Sequence, residues 1–144
     1  MKILFVDDDV YFMSTYVDAL QKRAAVSVRN AAVDALDEIK NNAQNQKYDC
    51  VVLDVMMPSP QGWEARTEDG LFTGVEVLKE CREQIINASL PILVLTNNEL
   101  EKVKTKVNAL NFPEGLVVVR AKLETPAFLA SINVGQLVER WGRE

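Results

Sequence analysis

The strongest constraint on the fold of this chain is a set of three strand-length runs that are apolar almost throughout, within Lys2–Asp7, Tyr48–Asp54 and Ile92–Thr96. A strand with one wet face alternates polar and apolar residues, whereas a strand covered on both faces does not. Such strands belong in the middle of a parallel sheet with helices on either side. Helical stripes supply the cover. Val10, Met13, Val17 and Leu20 recur at helical spacing after the first run, with Asp9 available as N-cap. Ala25–Arg29 is a shorter strand in which Val26 and Val28 flank Ser27, an alternation suited to a sheet edge. Ala32, Leu36, Ile39 and Ala43 mark a second helix, and Val75, Leu78, Cys81 and Ile85 a third. Pro91 opens the fourth strand, where a missing N–H is tolerated.

Asn98 and Glu101 form a capping-box pattern ahead of the stripe Leu100, Val103, Val107 and Leu110. Gly115–Arg120 reads as the fifth strand. Thr125 as cap, with Pro126 at the first helical position, begins a last helix whose inner side is expected to carry Leu129, Ile132, Val138 and Trp141. Strands alternating with helices over short links imply right-handed crossovers. The expected fold class is therefore α/β: a single doubly wound, five-stranded parallel sheet of order 2-1-3-4-5 with five helices, flavodoxin-like. At 144 residues the chain fits one domain with a real core.

One segment breaks the rhythm. Residues 59–73 are polar and turn-rich, with Pro60, Gly62, Asp69, Gly70 and the isolated Trp63. Strand-to-helix links usually take about 2–6 residues, so this one is an insertion. Two readings stand: it contacts a partner or partly covers the site, or it is a tolerated surface loop.

In a sheet of that order the crevice lies at the carboxyl ends of strands one and three. Asp7 and Asp8 end the first strand and Asp54 ends the third, while Thr96 ends the fourth and Lys122 follows the fifth. Converging carboxylates suit a hard divalent cation, and Mg²⁺ prefers oxygen ligands. Zinc, copper or iron would favour imidazole or thiolate, yet the chain contains no histidine. Cys50 and Cys81 sit inside apolar patterns without ligand spacing, as buried thiols of a reducing compartment do. An Asp54 oxygen can attack phosphorus, with Lys122 and the Thr96 hydroxyl available to the phosphoryl oxygens.

These residues, in this order and at these strand ends, resemble the receiver domain of bacterial two-component response regulators over essentially all of residues 1–144. The resemblance implies that Asp7 and Asp8 are the family's acidic pair, Asp54 its phosphoacceptor, Thr96 its switch hydroxyl and Lys122 its lysine. It also implies Mg²⁺ held by Asp7, Asp8, Asp54 and the backbone carbonyl of Met56. The phosphoryl donor would be a sensor histidine kinase or a phosphotransfer protein. Output would pass to a downstream effector protein, or to a homodimer, through the face of helix four, strand five and helix five. Such a protein is not an enzyme beyond its own phosphotransfer and dephosphorylation.

Departures from the family pattern are local. Leu123 follows Lys122 where proline is usual, Val119 occupies the place of a strand-five aromatic, and Asn97 follows Thr96. Gly62 and Gly74 both compete for the glycine that follows the Met56-Met57-Pro58 segment. Two alternatives remain beside the receiver reading. One is a non-phosphorylated pseudo-receiver that only binds partners. The other is a haloacid-dehalogenase-type magnesium phosphatase using Asp7 and Asp9, which gives Asp54 no role and finds only Glu124 after Lys122. A net charge of -5 argues against direct nucleic-acid or anionic-lipid binding. Met1-Lys2 leads into a strand rather than a signal peptide, and no apolar stretch reaches spanning length, so a cytoplasmic protein is expected.

Overall fold

The computed structural model describes residues 1–97 and 99–142, with the side chains of all of these but Val10, Ala43 and Gln44. Strands β1 (Lys2–Val6), β2 (Ala25–Arg29), β3 (Cys50–Asp54), β4 (Ile92–Thr96) and β5 (Val117–Ala121) form one parallel sheet. Its order is β2-β1-β3-β4-β5, as the continuity of the central runs and the alternation of β2 require. Helices α1 (Val10–Gln21), α2 (Ala32–Asn45), α3 (Thr73–Glu80), α4 (Arg82–Ala88), α5 (Leu100–Asn108) and α6 (Ala127–Trp141) cover both faces.

Strand alternation divides the core into two layers. Ile3, Phe5, Cys50, Val52, Leu93 and Leu95 face Met13, Tyr16 and Leu20 of α1 and Ala130, Val134 and Leu137 of α6. Leu4, Val6, Val51, Leu53, Ile92 and Val94 face the other way, onto α2, α3, α4 and α5. Every residue of β3 and β4 is buried, and this apolar sandwich is the main force holding the sheet.

The helices depart from expectation at three places. Six α-helices, not five, lie among the described residues, because the third expected helix breaks at Cys81 (φ -102°, ψ 10°). Its apolar stripe survives the break, since Leu78, Cys81 and Ile85 are all fully buried. The inward side of α6 is rotated over its first half, while Val138 and Trp141 pack against the core as expected. Ala130, Ser131, Val134 and Leu137 are buried, whereas Ile132 is 41% exposed. α6 packs on α1 and across β3 and β4, and its small residues permit that close approach. Finally, α6 starts at Ala127 with Pro126 in the cap position. The Thr125 carbonyl instead accepts the Tyr16 hydroxyl at 2.8 Å. The capping box expected at Asn98 lies outside the described residues, and Leu110 falls beyond the end of α5. Among the described residues no helix is long and apolar enough to cross a membrane.

Candidate functional site

Register brings the acids together. Val6 pairs with Leu53, so Asp7 leaves β1 level with Asp54 at the end of β3. Alternation then turns both toward the α1 and α6 side of the sheet, the side of Phe5 and Val52. Carboxylate oxygens of Asp7, Asp8 and Asp54 lie within 4.8 Å of one another. Lys122 enters from a 3-10 turn over Lys122–Glu124 that directly follows β5. Its Nζ stands 3.0 Å from Asp54 Oδ1 and 3.2 Å from Asp7 Oδ2.

Two aromatic residues of α1 support this arrangement. The Lys122 ammonium lies 4.8 Å from the centre of the Phe12 ring, a favourable cation–π placement. Tyr16 ties the turn after Lys122 to α1 through its hydrogen bond to Thr125. Neither residue belongs to the stripe expected for α1, although their i, i+4 spacing just after the acidic run was a usable signal. Asp9 serves as the helix cap: its carboxylate accepts the Phe12 N–H at 3.0 Å. Its own N–H donates to Asp7 Oδ1 at 2.9 Å, which orients that carboxylate.

Charge is unbalanced in the pocket. Asp7, Asp54 and Lys122 are buried and Asp8 is exposed, so two poorly solvated carboxylates and a third at the surface gather around one ammonium. Burial, joined by the negative charge of Asp7, pushes the Asp54 carboxyl up to about 7 despite the attraction of Lys122. Burial and Asp7 also raise the Asp8 carboxyl. Burial works against the Lys122 ammonium, yet Asp54 and Asp7 outweigh it and raise its pKa.

The cluster opens into a cleft of about 770 Å³. Asp8, Asp54, Met56 and Lys122 line one side, and Asn97 reaches it from the end of β4. Thr96 is buried at 2% exposure, one step beyond Asp54 in register, and is not among the lining residues. Glu68, Asp69, Gly70 and Leu71 also line it, so part of the inserted segment forms a wall of the cleft. Trp63 packs this segment onto the core, with the Arg66 guanidinium 4.7 Å from its ring and bonded in turn to Glu76 and Glu80. The competing glycines are now distinguished. A Cβ at Gly74 would collide with the Asp54 carbonyl oxygen and lie 2.8 Å from Val55 Cα, whereas one at Gly62 would meet nothing within 4 Å. Gly74 is the residue that lets α3 begin against the end of β3.

Parallel strands wound on both faces, with ionisable groups gathered at their carboxyl ends, define a crevice-bearing α/β domain. The family model of the response regulator receiver domain matches residues 3–68, the part that carries Asp7, Asp8, Asp54 and Met56. The chain is similar in structure to the receiver domain of the Francisella response regulator 1452, at 21% identity and a TM-score of 0.69, over 96% of this chain and 97% of that one. A response regulator receiver protein from Sinorhizobium medicae WSM419 gives 18% identity and 0.71, over 96% and 94% of the two chains. A CheY-like receiver domain protein from Methanospirillum hungatei JF-1 gives 17% and 0.68, over 96% and 94%. No curated protein sequence matches the chain. The family match ends at residue 68, and the remaining strands and helices complete the fold that these solved receiver domains share.

Proposed function

We propose that this chain is one receiver domain over residues 1–144, with residues 59–73 inserted, that accepts a phosphoryl group on Asp54 and thereby switches partner binding. The observation that carries the reading is a buried Asp54 carboxylate held 3.0 Å from Lys122 inside a set of three converging acids. A phosphohistidine on a sensor histidine kinase or phosphotransfer protein is the donor this chemistry suits. An Asp54 oxygen attacks phosphorus; the new O–P bond forms as the P–N bond breaks, and the imidazole nitrogen keeps the bonding pair and is protonated from solvent.

The donor set fits magnesium. It offers only oxygen, and the 4.8 Å spread compares with about 4.2 Å between opposite ligands of Mg²⁺. Asp7, Asp8, Asp54 and the Met56 carbonyl would hold the ion, with water completing its shell. Bound there, Mg²⁺ supplies charge neutralisation at the phosphoryl oxygens. Lys122 neutralises another oxygen of the same group. Thr96, buried beside the site, donates its hydroxyl to a third once the phosphoryl group draws it in. That movement repacks the face of α5, β5 and α6, which is the helix four, strand five and helix five face of the sequence reading. Val119 gives β5 no aromatic to couple to Thr96. A downstream effector protein or a second copy of the chain would read the altered face, in the cytoplasm.

The phosphatase reading is less favoured, because Asp9 spends its carboxylate on the Phe12 N–H and stands outside the acidic set. An acyl phosphate donor with Mg²⁺ should add one phosphoryl group to the wild type, seen by intact mass, and none to Asp54→Asn. Failure to label a protein that demonstrably binds Mg²⁺ would leave the pseudo-receiver reading in its place.

A further inference from the structure

We infer that Thr73, acting with Gly70 of the inserted segment, is a positioning residue that sets the direction of the Met56 carbonyl toward a divalent cation. This rests on the metal reading above. Met56 lies past the end of β3, where no sheet ladder fixes the backbone, and its side chain is half out in solvent. A carbonyl ligand on so free a stretch needs another restraint.

Residues 70–74 supply it from three sides. The Val55 carbonyl accepts the Gly74 N–H at 2.8 Å, which holds the peptide plane entering Met56. The Met57 N–H donates to the Gly70 carbonyl at 3.3 Å, which holds the plane leaving it. In a planar trans peptide the C=O and the following N–H point in opposite directions. The Met56 carbonyl is therefore directed away from Gly70. The Thr73 hydroxyl then donates to the Met57 carbonyl at 2.6 Å and also lies 3.3 Å from the Gly70 carbonyl, bridging the two segments.

Each support is specific to its residue. Thr73 is fully buried, so its hydroxyl has no water to replace the Met57 carbonyl. Gly70 adopts φ +97°, and a Cβ there would stand 2.7 Å from the Met57 carbonyl oxygen. Behind it, the Gly70 N–H donates to the buried Thr67 hydroxyl at 3.1 Å, which itself donates to the Trp63 carbonyl at 2.9 Å. The inserted segment thus acts as an outer shell for a backbone ligand, as hydrogen-bonded partners do for side-chain ligands.

Thr73→Val keeps the shape and removes the donor, while Thr73→Ser restores it. Mg²⁺ affinity is measured by calorimetric titration of the whole chain, with the melting temperature of each metal-free variant recorded alongside. Outer-shell losses typically weaken metal affinity about 10–100-fold, and Thr73→Val should fall in that range. Thr73→Ser should bind close to the wild type. Equal Mg²⁺ affinity in Thr73→Val and wild type overturns the inference, whatever happens to stability. If Thr73→Val does not fold, the carbonyl carbon resonance of Met56 in labelled wild type decides: it should follow the Mg²⁺ binding isotherm, and a resonance that stays still overturns the inference. Wild type that binds no Mg²⁺ at all overturns the metal reading itself, and this inference with it.

Discussion

Asp54 keeps its proton to about pH 7 in the folded chain against an ordinary 3.8, because burial and Asp7 disfavour its charge more than Lys122 favours it. Between those values the folded state binds more protons than the unfolded state, so stability should fall as pH rises through that window. Asn at position 54 carries no charge to bury. Asp54→Asn should therefore gain about 2 kcal/mol over the metal-free wild type at pH 8 and lose the slope between pH 4 and 7, measured by urea unfolding. Adding Mg²⁺ should narrow the gap by stabilising the wild type alone. Lys122 predicts the opposite sign. It is the cation that both Asp7 and Asp54 touch, and removing one partner of a buried ion pair costs about 3–5 kcal/mol. Lys122→Met should destabilise the metal-free protein by that order at pH 8, and by less near pH 5, where Asp54 can accept a proton. An unchanged urea midpoint at pH 8 would contradict the pairing.

Elements differ in how much of their placement the sequence carries. β1, β3 and β4 were readable because period and burial coincide: a strand apolar on both faces has one place in a wound sheet, and the residue that ends it falls at the crevice. Asp54 is legible for that reason, and so is Asp7. α6 was less so, because apolar residues surround it on several sides and Gly135 and Ala130 give no lateral contrast. The stripe was assigned to Leu129 and Ile132 in its first half, whereas packing on α1 selected Ala130 and Val134 there. Gly135 itself meets only an Arg23 guanidinium nitrogen at 3.7 Å, so the helix gains nothing there from a missing Cβ. Gly135→Ala should stabilise the domain by about 0.5–1 kcal/mol, raising the melting temperature. The break at Cys81 left no trace in the pattern, since both halves share one buried stripe. Least legible were Thr67 and Thr73. The Thr67 hydroxyl bonds the Trp63 carbonyl one turn back and then accepts the Gly70 N–H, while the Thr73 hydroxyl reaches the Met57 carbonyl 16 residues away, a tertiary fact with no local signature.

Across the whole molecule, the buried base of the sheet and the face proposed to switch are different strands. β1 and β3 are buried on both faces and form the rigid base from which Asp7 and Asp54 project. β5 is an edge strand whose Val117 and Val118 are only partly covered, between α5 and α6. The inserted segment links the cleft to that edge of the sheet. Glu68 lines the cleft and pairs with Lys106 of α5 at 3.9 Å, while the Lys102 and Lys106 ammonium groups sit 5.6 and 4.7 Å from the Phe72 ring. The ion pair is half exposed and contributes at most about 1 kcal/mol, so it is a contact that a new charge in the cleft can readily reorganise. With Val119 where an aromatic would couple β5 to Thr96, the proposed switch would have a second route from the site to α5 through these contacts. Phosphorylation of Asp54 should consequently alter amide hydrogen exchange in residues 66–72, 100–108 and 117–121, and leave Ile3–Val6 and Val51–Leu53 unchanged. Glu68→Gln should reduce the change in α5 while leaving the extent of phosphorylation the same. An exchange response that spreads through β1 and β3, or one in α5 that is indifferent to Glu68→Gln, would remove these contacts from the path and return the whole burden of transmission to Thr96.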